Sequence, residues 1–153
     1  MIISERRTRS ARKGVPRSVL QPETMTTRTI LIVDDERDIL VLLALSFEGA
    51  GYGVRTAADG LEAMQLCRAE SFDAVISDAR MPGFSGHDLA RWLAEHRPAT
   101  RFILMTGWDT GCEDCSIAGR CHVVLKPFVP RDVVSTVDAV LAFGQKPAAF
   151  GAT

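Results

Sequence analysis

The chain has 153 residues, 46 % hydrophobic and 24 % charged, with 18 basic against 19 acidic side chains and a net charge of −1, a balance ordinary for a soluble globular protein with one sizeable core. The longest strictly apolar run, Ile39 to Leu45, is far too short to cross a bilayer, and the charged start of the chain lacks the apolar stretch of a secretory signal, so the expected compartment is cytoplasmic. In that compartment the four cysteines, Cys67, Cys112, Cys115 and Cys121, read as thiols or metal ligands rather than disulfide partners.

Residues 1–24 carry six basic side chains (Arg6, Arg7, Arg9, Arg12, Lys13, Arg17) against Glu5 and Glu23, a net of +4 that leaves −5 on the remainder. A segment with so few large apolar residues cannot offset the entropy of ordering, so residues 1–26 are expected to form a disordered basic arm. It reads as a solvated tail, as a stretch absent from the native protein if translation begins at Met25, or as a tract that attracts polyanions.

From Thr27 onward strand and helix patterns alternate. Short, mostly unbroken apolar runs at Thr29–Val33, Tyr52–Ala57, Ala74–Ser77, Arg101–Met105 and His122–Leu125 read as strands of a parallel sheet covered on both faces. Between them come amphipathic stripes at helical spacing: Ile39, Leu42, Leu43 and Phe47, then Leu61, Met64 and Cys67, then Leu89, Trp92 and Leu93, and last Val133, Val134, Val137, Val140 and Leu141, all expected in the core. The fourth crossover, Trp108 to Gly119, has only weak helical periodicity and predicts a short or distorted helix. Asp59 with Gly60 reads as a turn and cap, Pro82 with Gly83 as turn chemistry, and Glu36 and Asp38 as solvated residues at a helix start.

Five such units imply an α/β fold: a doubly wound, five-stranded parallel sheet of order 2-1-3-4-5 with helices on both faces, a single domain. In that order ligands bind outside the carboxyl ends of the strands, beside the switch point between the first and third. Asp34 and Asp35 follow the first strand, Asp78 the third, Thr106 the fourth and Lys126 the fifth, so all five converge on one edge. Two carboxylates about 4 Å apart repel by roughly 4 kcal/mol at an effective dielectric near 20, so three of them call for a cation. Oxygen ligands with room for water suit Mg²⁺, and beside it Asp78 can attack a phosphorus atom while Thr106 and Lys126 contact the phosphoryl oxygens and Gly107 leaves room for the group. Taken alone, Asp34 and Asp35 also suit a capping role at the first helix.

The motifs "VDDE", "SDARMPGFSG", "LMTG" and "LKPF", in this order and spacing, resemble the receiver domain of two-component response regulators over about residues 28–142. The resemblance implies that Asp78 accepts a phosphoryl group from a histidine kinase or phosphotransfer protein, that Asp34, Asp35, Asp78 and the backbone carbonyl of Arg80 hold Mg²⁺, that Thr106 and Lys126 contact the phosphoryl group, and that Lys126–Pro127 is cis. The expected organisation is an arm over 1–26, a receiver domain over 27–143 and a flexible tail over 144–153, hence a stand-alone receiver with no DNA-binding domain and no membrane contact, acting on a downstream protein target in a relay and not as an enzyme. A phosphohydrolase of the haloacid-dehalogenase type is disfavoured, since it wants a second acid where Arg80 stands; the Arg80 side chain either shields the phosphoryl group or points outward.

Two departures bear on mechanism. Receivers commonly couple the threonine to an aromatic residue three positions before the lysine, and here that position is Val123; Trp108 and Phe128 are the other aromatics at hand, each also suited to a structural role. The run "CEDCSIAGRCH" offers Cys112, Cys115, Cys121 and His122 as zinc ligands or redox-sensitive thiols, against free thiols and the opposite facing of adjacent strand residues. The alternative to a phosphorylation switch is a phosphorylation-independent adaptor on the same scaffold.

Overall fold

β1 (Thr29–Val33), β2 (Gly53–Ala57), β3 (Ala74–Asp78), β4 (Arg101–Thr106) and β5 (Cys121–Leu125) pair in parallel in the order β2-β1-β3-β4-β5, the doubly wound arrangement that the alternating pattern predicts. The structure is a computed structural model whose described residues are 27–107 and 121–143, without the side chains of Cys121 and Phe143. The expected arm, the fourth crossover, the tail, and with them Cys112, Cys115 and Trp108, lie outside the described residues. The helices described are α1 (Arg37–Gly49), α2 (Gly60–Ala69), α3 (Gly86–His96) and α4 (Pro130–Phe143). No described helix is long and apolar enough to cross a membrane.

The unbroken apolar runs are explained by two cores, one on each face of the sheet. Ile30, Ile32, Ile76, Ile103 and Met105 pack with Leu43 and Phe47 of α1 and Val133 and Val137 of α4. The alternate strand residues Leu31, Val33, Val75, Phe102 and Leu104 pack on the other face with Ala63 and Cys67 of α2 and Leu89 and Leu93 of α3. Successive side chains point to opposite faces, so a strand covered on both sides is mostly apolar, and the buried Ser77 of β3 satisfies its hydroxyl by donating to the Asp78 carbonyl at 2.9 Å. Each large side chain fully buried in this way contributes about 1.5–3 kcal/mol.

Two expected core residues are outside. Leu42 is 48 % exposed and Leu61 54 % exposed. On α1 the buried arc runs through Leu43 and Phe47 with Ile39, Leu40 and Ala44 at its margins, so the helix turns the flank opposite Leu42 inward. Helical spacing makes both flanks of a stripe equally apolar in sequence, and only packing against the sheet selects one.

Strand ends also differ. β3 and β4 each run one residue past their apolar run, so that Asp78 and Thr106 are the last strand residues, in register with Met105 and Leu125. β2 begins at Gly53 and β5 at Cys121. Backbone pairing is indifferent to the side chain, and a polar residue at a sheet edge leaves the ladder intact.

Candidate functional site

The carboxyl ends of β1, β3, β4 and β5 bring the acids together. Beyond Val33 the Asp34 N–H still donates to the Ala57 carbonyl at 3.2 Å, which holds Asp34 against the sheet, fully buried. Its Oδ1 accepts from the Glu36 N–H at 2.8 Å, turning the chain into α1. Glu36 is the N-cap and its side chain makes no cap bond, while the Asp34 bond goes to the N-cap's own amide; the acids are not spent on capping the first turn. Asp35, next in sequence, is exposed.

Asp78 is 8 % exposed, and its Oδ1 accepts from the Arg80 N–H at 3.4 Å. The Ala79 N–H donates to the Met105 carbonyl at 2.8 Å and the Lys126 N–H to the Thr106 carbonyl at 2.8 Å, so Asp78, Thr106 and Lys126 are fixed by the sheet's own ladder. Thr106 is buried at 4 % exposure, and a Cβ at the following Gly107 would meet nothing within 4 Å among the described residues. Lys126–Pro127 is cis, as expected.

Lys126 Nζ stands 3.3 Å from Asp34 Oδ2 and 3.4 Å from Asp78 Oδ1. One carboxylate oxygen from each of Asp34, Asp35 and Asp78 lies within 4.8 Å of the others. Burial pushes the Asp34 pKa up and the Asp78 charge adds to it, outweighing the Glu36 amide and Lys126, which act the other way. Burial works against the charged form of Lys126, yet the Asp34 and Asp78 carboxylates outweigh it and raise its pKa. The cluster therefore holds more negative charge than one ammonium balances. Three hard oxygen donors converging on one point, two of them nearly buried, fit a Mg²⁺ ion with room left for water.

Among the described residues, no other candidate side chain joins the three clustered carboxylates. The Arg80 side chain is exposed. His122 is exposed, and Cys121 and His122 are consecutive positions of β5, which begins at Cys121 rather than later. The other cysteine candidates fall outside the described residues. Val123 is 40 % exposed, and Phe128 packs on the core beside α4 in a structural role. Asp59 caps α2, accepting from the Glu62 N–H at 2.8 Å, and Gly83 takes a positive φ of 79°, both as the turn chemistry predicts.

Sequence reasoning missed three supports of the site. Ser85 and Asp88 form a reciprocal capping box that starts α3, a device whose S-x-x-D spacing was available. Gly86 and Gly60 are both buried where a side chain would strike backbone: a Cβ on Gly86 would lie 2.3 Å from the Asp78 carbonyl oxygen, and one on Gly60 2.3 Å from that of Phe84. No local pattern announces such contacts.

A sequence model of the response regulator receiver domain matches residues 30–138. The chain is 32 % identical over 120 residues to the alkaline phosphatase synthesis transcriptional regulatory protein PhoP of Bacillus subtilis, covering 74 % of this chain and 48 % of that protein. It spans about half the length of the curated relatives it matches. A CheY-like receiver domain protein of Methanospirillum hungatei superposes with a TM-score of 0.73 at 28 % identity, covering 79 % of this chain and 98 % of the other. The response regulator TrrA of Thermotoga maritima, solved in complex with Mg²⁺ and BeF, superposes with a TM-score of 0.68 at 31 % identity over 74 % of this chain and 99 % of the other.

Proposed function

The chain belongs to the response regulator receiver domain family, and on that premise we propose that Asp78 is its phosphoacceptor. The observation that carries this reading is the meeting of Asp34, Asp35 and Asp78 within 4.8 Å, with the Lys126 ammonium set between Asp34 and Asp78.

An Asp78 carboxylate oxygen attacks the phosphorus of a phosphohistidine on a histidine kinase or phosphotransfer protein. The new O–P bond forms as the P–N bond breaks, and the imidazole departs with the bonding pair. Lys126 moves its charge from the carboxylates to a phosphoryl oxygen, and the Thr106 hydroxyl donates to another, a charge-assisted bond worth about 1.5–3 kcal/mol. Asp34, Asp35, Asp78 and the Arg80 carbonyl would hold Mg²⁺, which when bound neutralises charge on the transferring group. Positioning and charge neutralisation account for the chemistry, and the sheet edge supplies both. The product is a signal rather than a released metabolite: phosphorylation shifts the population of forms that engage a downstream protein target in the cytoplasm.

Acetyl phosphate with Mg²⁺, or a phosphorylated kinase, is expected to label the wild-type protein, and Asp78→Asn to abolish incorporation. Label persisting in Asp78→Asn would reject the assignment. A stand-alone mode of action is tested by intact mass from the native source: the mass of 153 residues, or of a chain starting at Met25, supports it, and a larger one replaces it with a receiver attached to an output domain.

Val123 favours a second reading. A valine in place of the usual aromatic cannot swing between two packed positions as a ring does, which suits an adaptor that binds its partner irrespective of phosphorylation. Equal target binding with and without phosphate donor would select it over the switch.

A further inference from the structure

The chain between Asp78 and α3 is gripped at two points by contacts that exclude a side chain. At its base the Gly86 N–H donates to the Ala79 carbonyl at 3.2 Å, and a Cβ on Gly86 would stand 3.0 Å from the Ala79 Cα as well as 2.3 Å from the Asp78 oxygen. Two residues before Gly86 the half-buried Phe84 lies over the first residue of α2, where a Cβ on Gly60 would stand 2.3 Å from the Phe84 oxygen and 2.7 Å from Cδ2 of its ring. Between the two grips lies Arg80, whose N–H reaches Asp78 Oδ1.

We infer that Gly60 is a positioning residue for the Asp78 site: its bare α-carbon seats the Phe84 main chain, and through it the loop of residues 79–85 that carries the Arg80 carbonyl. This rests on the phosphoacceptor reading above. A methyl group at Gly60 meets backbone first, so no side-chain rotation relieves it. The start of α2 is tied, because Asp59 accepts from the Glu62 amide and the Glu62 carboxylate accepts from the Ala58 amide, both at 2.8 Å, and Ser85 beyond Phe84 is tied in the same way to Asp88. With Ala79 held by Met105 and Gly86 and Ser85 held by Asp88, residues 80–84 between them are what yields. A displaced loop carries the Arg80 main chain away from the acidic cluster, and losses of outer support of this kind cost about 10–100-fold in metal affinity.

The test is calorimetric titration of unphosphorylated protein with Mg²⁺, beside the Mg²⁺ dependence of acetyl-phosphate labelling. Gly60→Ala is expected to raise the dissociation constant about tenfold or more, with labelling recovering toward wild type at saturating Mg²⁺. A lowered melting temperature with an unchanged Mg²⁺ constant overturns the inference, since Gly60 would then serve helix packing alone. Phe84→Ala loosens the same grip without adding an atom and is expected to weaken Mg²⁺ binding in the same direction; should Gly60→Ala not fold, an unchanged constant in Phe84→Ala overturns the inference by itself. Gly49→Ala is the control, because a Cβ there would meet nothing within 4 Å. Wild-type protein that neither binds Mg²⁺ nor takes label removes the underlying reading; wild type that does both, with variants indistinguishable from it, removes only the role of Gly60.

Discussion

Lys126 Nζ lies 3.3 Å from Asp34 Oδ2, a contact between the first strand end and the last that leaves a fully buried carboxylate only partly balanced. The raised pKa of Asp34 means that the fold disfavours its charged form, with burial the main cause. For an acid shifted this way the folded state holds its proton more tightly than the unfolded one, so its ionisation costs stability once the pH passes the ordinary carboxylate range. Asp34→Asn is therefore expected to stabilise the protein in EDTA at neutral pH by on the order of 1 kcal/mol, several degrees in melting temperature, while weakening its response to Mg²⁺. Thermal melts with EDTA and with Mg²⁺ check both halves.

Tyr52 is the one tyrosine in the sequence, which makes its titration directly visible in phenolate absorbance. Burial raises its pKa, and the hydrogen bond to the Asp138 carboxylate on α4 raises it further. Asp138→Asn is expected to lower the apparent pKa while leaving it above the ordinary value near 10, because burial remains. Since the folded state keeps the proton, this group's stabilising contribution is present below the unfolded pKa and lost as the pH rises through the folded one. A titration unmoved by Asp138→Asn would contradict the contact.

Arg97 joins the ends of two helices. Its Nε donates to the Cys67 carbonyl at 3.1 Å and its Nη2 to that of Arg68 at 3.4 Å, near the end of α2, while Nη1 reaches the His96 carbonyl at 3.0 Å at the end of α3. Last-turn carbonyls have no intrahelical partner, and a guanidinium satisfies several at once. Arg97→Ala is expected to cost about 1–2 kcal/mol, discounted from the buried range because the side chain is half in water, and Arg97→Lys to recover only part of it. Chemical denaturation of the three proteins measures this.

Leu42 and Leu43 are neighbours with opposite fates, 48 % and 0 % exposed. Leu43→Ala is expected to destabilise by about 2–5 kcal/mol through the cavity it leaves, and Leu42→Ala to stay within about 0.5 kcal/mol. Equal losses would mean that α1 packs on the sheet in a different rotation.

The same pair marks the boundary of what sequence can reveal. Strand order and the convergence of Asp34, Asp78, Thr106 and Lys126 were legible, because unbroken apolar runs ending in polar residues encode a covered parallel sheet with its chemistry at one edge. The rotation of α1 was not, because its two flanks are equally apolar and the choice is made by a partner surface folded from distant residues. Strand ends slipped by one at Asp78 and Thr106, where side-chain polarity and backbone pairing part company. Gly60 reads only as a turn and cap residue and Gly86 only as part of a motif, since the atoms they accommodate, the carbonyls of Phe84 and Asp78, come close only in three dimensions.

The acids reach one point only because β1 and β3 are aligned Val33 to Ser77, with Asp34 and Asp78 next along each. A slip of one residue between these strands would turn every following side chain to the opposite face and scatter the carboxylates. On the phosphoacceptor reading proposed above, uptake of label from a small-molecule donor doubles as a proofreading assay for sheet alignment, able to distinguish natively threaded chains from compact misfolded ones that share the same helix content.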